Sequence, residues 1–176
     1  MAWSTSRADY ILAAEDRGLE PEYFVGLDLG QAQDHTALVV VERRVLRRTV
    51  TDGVVVTAVR MEYEYAVRAA ARLALGMSYV DVAKKVTGAV RKLSREGRCT
   101  LVVDASGVGA AVLDSLRGEV REARVLGVVL TGGRWTTRGA GRWNVPRREV
   151  LGLVQVMLEK GELRLGARMA GREELE

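Results

Sequence analysis

The pattern of apolar runs predicts an α/β fold: a mixed sheet of three antiparallel strands followed by parallel ones, with helices on both faces. Three observations carry this. The runs YFVGLDLG, HTALVVVERR and GVVVTAVRMEYEY follow one another closely, and short connections make neighbouring strands antiparallel. Beyond them, helical and extended patterns alternate, which builds parallel pairs through right-handed crossovers. The apolar share is 48% over 176 residues, enough for a core without disulfide or metal staples.

Taken in order, residues 1–22 read as a helical lead-in with Tyr10, Ile11, Leu12 and Leu19 on a partial apolar face, broken by Pro21. Residues 23–176 read as one domain. Thr51-Asp52-Gly53 is the turn between the second and third strands. Ser78 with Asp81 three residues on resembles a capping box, and Val82, Val86, Ala89, Val90 and Leu93 repeat at helical spacing up to Gly97. CTLVVDA is a buried strand, VGAAVLDSLRG a short helix and ARVLGVVLTGG another strand. After the basic stretch RWTTRGAGRWN, Pro146 stands near a helix start with Asn144 as its cap. Val150, Leu151, Val154, Met157 and Leu158 form that helix's stripe, GELRLG is a last extended segment, and MAGREELE reads as the opening of a helix.

One cysteine, Cys99, can neither form an internal disulfide nor build a thiolate metal site. No apolar run reaches the roughly 20 residues of a membrane span, and the N-terminus lacks the apolar core of a signal peptide; a cytoplasmic protein is expected. The formal net charge is +4, and the lysines are Lys84, Lys85, Lys92 and Lys160, so arginine supplies most of the positive charge. A planar guanidinium fork suits phosphate, although a GC-rich coding bias produces the same composition.

Asp28 ends the first strand inside an apolar run, and Asp104 ends the fourth in LVVDASGVG. If the fourth strand lies beside the first and parallel to it, the two carboxylates converge where sites in α/β sheets form. Like charges at that spacing repel unless a cation or proton lies between them, and an oxygen-only set suits Mg2+ or Mn2+. The competing role for each is a local cap. Asp34 is a candidate third ligand, against the Asx turn that such a residue commonly makes, and the single histidine, His35, reads as a turn residue. Gly107 and Gly109 allow a tight turn beside the pair; a lone GxG is a weak nucleotide signal. Arg134, Arg138, Arg142, Arg147 and Arg148 with Trp135 and Trp143 form a candidate surface for phosphates and unstacked bases, or a solvated loop anchored by its tryptophans.

GLDLGQAQDHTALVVVER, LVVDASGVGAAVLDSL, VLTGG and WNVPRREVLGLVQVMLEKGELRL together resemble the C-terminal nuclease domain of phage terminase large subunits, from about Tyr23 to Leu165. The resemblance implies a ribonuclease H-like fold and two bound divalent metals, Mg2+ or Mn2+. It implies a metal-dependent endonuclease that hydrolyses double-stranded, concatemeric DNA during genome packaging in a bacterial host. Asp28 matches the first-strand ligand and Asp104 the fourth-strand one. The implied partners are DNA, a packaging ATPase, a small terminase and a portal, with no membrane. Two departures stand out: no G-x-x-x-x-G-K-[ST] loop is present, and the family's third carboxylate, from a later helix, has no counterpart up to Glu176. The expectation is therefore a C-terminally incomplete nuclease domain.

Two other readings fit parts of the sequence. DLGQAQDHTAL and VDASGVG resemble the phosphate loops of actin-like ATPases and sugar kinases, with backbone amides near Gly30, Gly107 and Gly109 as the nucleotide contacts. A catalytically inactive interaction domain accommodates the missing carboxylate.

Overall fold

The structure, a computed structural model, describes residues 20–30, 34–52 and 55–170. In chain order the elements are β1 (Glu22–Asp28), β2 (Ala37–Asp52), β3 (Val55–Arg72), α1 (Tyr79–Leu93), β4 (Arg98–Asp104), α2 (Gly109–Glu119), β5 (Arg124–Thr131), β6 (Thr137–Gly139), β7 (Arg142–Pro146), α3 (Arg147–Glu159) and β8 (Leu163–Ala170). The strands form one mixed sheet in the order β6-β7-β5-β4-β1-β2-β3-β8. β1, β2 and β3 are antiparallel neighbours, β4 joins β1 in parallel, and β5 and β7 continue the parallel set. The fold is thus mixed α/β, and the fourth strand lies beside the first as expected.

The core grows from alternation on the central strands. Tyr23, Val25 and Leu27 of β1 point to one face, in register with Cys99, Leu101 and Val103 of β4. Val82, Val86 and Val90 of α1 and Val112, Leu113 and Leu116 of α2 close over that face in the same cluster. Leu101, fully buried, contributes about 2–3 kcal/mol by leaving water. Ser78 caps α1 as its spacing predicts, accepting from the Asp81 N–H at 3.2 Å while its own hydroxyl donates to Asp81 Oδ2 at 2.7 Å. At position 97 a Cβ would lie 2.1 Å from the Pro21 carbonyl oxygen, so only glycine lets the chain pass there.

Several expectations change in the structure. β3 runs on through the alanine-rich AVRAAAR to Arg72, because pairing with β2 outweighs alanine's preference for helix. The basic stretch after β5 is not a plain loop. It forms β6 and β7 around a turn in which Ala140 and Gly141 both have positive φ, 48° and 71°, as tight hairpins require, and β7 then covers the parallel edge of β5. Asn144 consequently lies in β7, where its Nδ2 donates to Thr137 Oγ1 at 3.3 Å, and Pro146 itself precedes the helix without a side-chain cap.

α3 differs most from the reading of helices on both faces. No α3 residue is buried; Leu151 is 63% exposed and Leu158 50%. Its main contacts are with β7 and β8, the strands flanking it in sequence. The extended segment after it becomes β8, which includes Met169 and Ala170 and pairs in parallel with β3 at the sheet edge. Of the helix expected over residues 1–22, residues 1–19 lie outside the described residues and Glu22 already belongs to β1; of the one expected from Met169 onward, Met169 and Ala170 belong to β8 instead and 171–176 lie outside the described residues. Among the described residues no helix is long and apolar enough to cross a membrane.

Candidate carboxylate site

β1 and β4 bring Asp28 and Asp104 together. Leu27 is the partner of Val103 in the parallel register, so the next residue of each strand is an aspartate on the same edge and the same face. Both line a cleft of about 290 Å³ with Gly30, Asp34, His35, Ser106 and Gly107. Backbone geometry builds its walls. A Cβ on residue 30 would meet the Asp34 carbonyl oxygen at 2.1 Å, and one on residue 109 would meet the Asp104 carbonyl oxygen at 1.9 Å. Gly107 turns with φ 51°, a conformation that costs a side-chain-bearing residue about 1 kcal/mol.

Hydrogen bonds hold both loops. Thr36, buried, accepts the Gly30 N–H on Oγ1 at 3.2 Å, and the Tyr79 hydroxyl donates to the Gly30 carbonyl at 3.3 Å. His35 donates Nδ1–H to the Leu73 carbonyl at 2.9 Å, which anchors the turn. Asp104 Oδ1 accepts the Ser106 N–H at 2.8 Å, so part of the local capping role is present. That bond engages one carboxylate oxygen.

The electrostatics of the cleft are one-sided. Asp28 is exposed as a residue, yet desolvation against the cleft wall raises its carboxyl above the ordinary aspartate range, and the charges of Asp104 and then Asp34 push it further the same way. Among the described residues no cationic side chain pairs with Asp28 or Asp104. Among them, too, no three His, Cys, Asp or Glu side chains converge tightly enough to form a ready-made metal cage. The donor set itself is two hard carboxylates with a third nearby, the chemistry that a hydrated Mg2+ or Mn2+ takes through one or two protein ligands.

The arginine-tryptophan set divides. Arg134, Arg138, Arg147 and Arg148 are exposed, and Trp135 is 79% exposed. Arg138 stacks its guanidinium 5.3 Å from the centre of the half-buried Trp143 ring. Arg142 turns inward instead, donating from Nη1 to the Ala105 carbonyl at 3.2 Å. Gly127 leaves room for it, since a Cβ there would lie 3.0 Å from Arg142 Cγ. Arg117 of α2 donates from Nη2 to the Gly141 carbonyl at 2.5 Å. The β6–β7 turn is thereby fastened to α2 and to the residue that follows Asp104. Thr36, Ser106, Tyr79 and Arg117 do not stand out in the sequence; Thr36 alone had a signal, as a small polar residue after Asp34 and His35. A scan of protein-family models and a search of curated proteins give no match to this chain.

Proposed function

We propose that this chain is a metal-dependent endonuclease domain of the phage terminase large-subunit type, built on a ribonuclease H-like fold. The observation that carries the reading is the juxtaposition of Asp28 and Asp104 on adjacent parallel strands without a compensating cation. The strand order β3-β2-β1-β4-β5 with β2 reversed supports the fold assignment, because it is the arrangement that the resemblance implies.

Asp28 and the free oxygen of Asp104 would hold a divalent ion, with Asp34 available through water. A bound Mg2+ or Mn2+ supplies Lewis acidity and a more acidic water for phosphodiester hydrolysis. The chain's own residues orient the two carboxylates through Ser106, Gly107 and Gly109, and present double-stranded DNA with the exposed Arg134, Arg138, Arg147 and Arg148. A packaging ATPase, a small terminase and a portal are the partners that this reading implies.

The test is manganese binding followed by calorimetry and by thermal unfolding. Wild type should gain stability at millimolar Mn2+, and Asp28→Asn and Asp104→Asn should each abolish the gain. Plasmid nicking that depends on Mn2+ and disappears in Asp104→Ala would extend the result to chemistry. Absence of any Mn2+ effect on wild type would sink the metal site and the nuclease reading together.

A further inference from the structure

A second cleft opens at the other end of the central strands. Glu22 begins β1 and Asp28 ends it, six steps or about 20 Å away, so this cleft is separate from the carboxylate pair. The strand register explains its composition. Glu22 pairs with Arg43 of β2 and Arg98 of β4, Phe24 pairs with Thr100 of β4, and Thr100 with Arg124 of β5. All these side chains therefore project from the sheet face opposite Val25 and Leu101. Arg121 and Glu122, from the connection after α2, close one side of a cleft of about 540 Å³.

The charges in this cleft do not cancel. Its four arginines, Arg43, Arg98, Arg121 and Arg124, share it with two glutamates, Glu22 and Glu122. Glu22 is already bonded to both Arg43 and Arg98. Glu122 accepts from Arg91 Nε at 3.1 Å, a cation outside the lining. Among the described residues no carboxylate pairs with Arg121 or Arg124. Arg43 has its guanidinium 5.6 Å from the Phe24 ring centre and 4.9 Å from that of Tyr63. Its Nε is buried without a hydrogen-bond partner. Concave shape and surplus guanidinium forks together describe an anion receptor, and guanidinium forks match phosphate best.

We propose that this cleft binds phosphate groups, with Arg121 and Arg124 as the main contacts and Arg43 and Arg98 as the preset wall. The phosphate belongs either to a nucleic-acid backbone or to a free polyphosphate, and the same chemistry serves both. The site stands independently of the carboxylate pair and of any nuclease activity.

The experiment titrates the full chain with pyrophosphate in EDTA at constant ionic strength, read by thermal unfolding and calorimetry. A saturable rise in Tm of roughly 5–10 °C is expected at a hundredfold excess over Kd. Arg121→Ala/Arg124→Ala should weaken pyrophosphate at least tenfold. Arg121→Lys/Arg124→Lys should retain part of the affinity, because the charge remains while the fork is lost. Lys84→Ala/Lys85→Ala, which removes equal charge from α1, should bind as wild type does. Displacement of pyrophosphate by a short DNA duplex would assign the site to a nucleic-acid backbone, and indifference to the duplex would assign it to free polyphosphate. No saturable rise overturns the proposal. So does full affinity in the alanine pair, or an equal loss in the Lys84/Lys85 control.

Discussion

Two carboxylates on neighbouring strands are treated in opposite ways by this fold. Glu42 of β2 is 2% exposed, and its two oxygens are taken by Arg44 and Arg68. Burial alone would raise its pKa; the hydrogen bonds and charges of the two arginines more than offset that and hold it below the ordinary glutamate value. Asp28 of β1 sits in a more open position, yet its carboxyl is held above the ordinary aspartate value by desolvation and by Asp104 and Asp34. The buried acid is compensated and the exposed one is not. A fold that neutralises one carboxylate with its own arginines and leaves another beside like charges places the cost where an outside cation can relieve it.

The comparison breaks most visibly at Glu42. Glu42→Gln removes the charge that both arginines face, and urea unfolding should show a loss of about 2–4 kcal/mol. The lower end is favoured because Arg44 and Arg68 reach solvent at 50% and 46% side-chain exposure. A loss below about 0.5 kcal/mol would mean that the pair behaves as a surface ion pair and that the contrast with Asp28 is empty.

Gly109→Ala tests the geometry of the uncompensated side. The added methyl would meet the Asp104 carbonyl oxygen, a backbone atom that cannot swing aside, so a cost of about 1–3 kcal/mol is expected. If the loop turns with the methyl, the Ser106 N–H would release Asp104, and any Mn2+ effect on wild type should fall with it. Unchanged stability would show that the turn after β4 is looser than its close contacts imply.

The smallest effect has the opposite sign. In metal-free buffer Asp28→Asn should raise Tm by about 1–2 °C, a small gain because the site is partly solvated. A fall would show that Asp28 has a favourable partner. The pH dependence sharpens the contrast. Asp28, with its folded pKa raised, contributes stability that is present below the ordinary value of 3.8 and is lost as pH rises through the folded value. Glu42, with its folded pKa lowered, contributes stability that is present above the ordinary 4.5 and is lost as pH falls through the folded value. Asp28→Asn should therefore flatten the decline above about pH 4, and Glu42→Gln should flatten the acid limb. Identical profiles for the two variants would erase the distinction.

Much of this arrangement is legible in the sequence. The apolar runs around Asp28 and Asp104 mark two strands that end in carboxylates, and short connections among the first three runs imply the antiparallel set that leaves β4 beside β1. Ser78 and Asp81 marked a helix start, since capping is a local hydrogen bond between residues three apart. The 134–146 region was less legible. Its strands are short, and β5, the partner of β7, is supplied by the sheet. Arg142 carried no sequence mark that would separate it from Arg138, although one is bonded inward to Ala105 and the other stacks on Trp143. The burial of Glu42 was also unmarked, because VVVERRV reads as a strand leaving its apolar part.

By itself the sequence determined the α/β class, the central strands, the capped α1 and the two aspartates at strand ends, because these depend on periodicity and on contacts within a few residues. Tertiary structure alone decided the pairing of β7 with β5 and of β8 with β3, the compensation of Glu42 by Arg68, twenty-six residues away on β3, and the arginine cleft beneath Phe24 and Thr100. Each of these depends on strand register between segments far apart in the chain. Register is a cooperative outcome of the whole sheet: shifting one strand by one residue exchanges every side chain between its two faces.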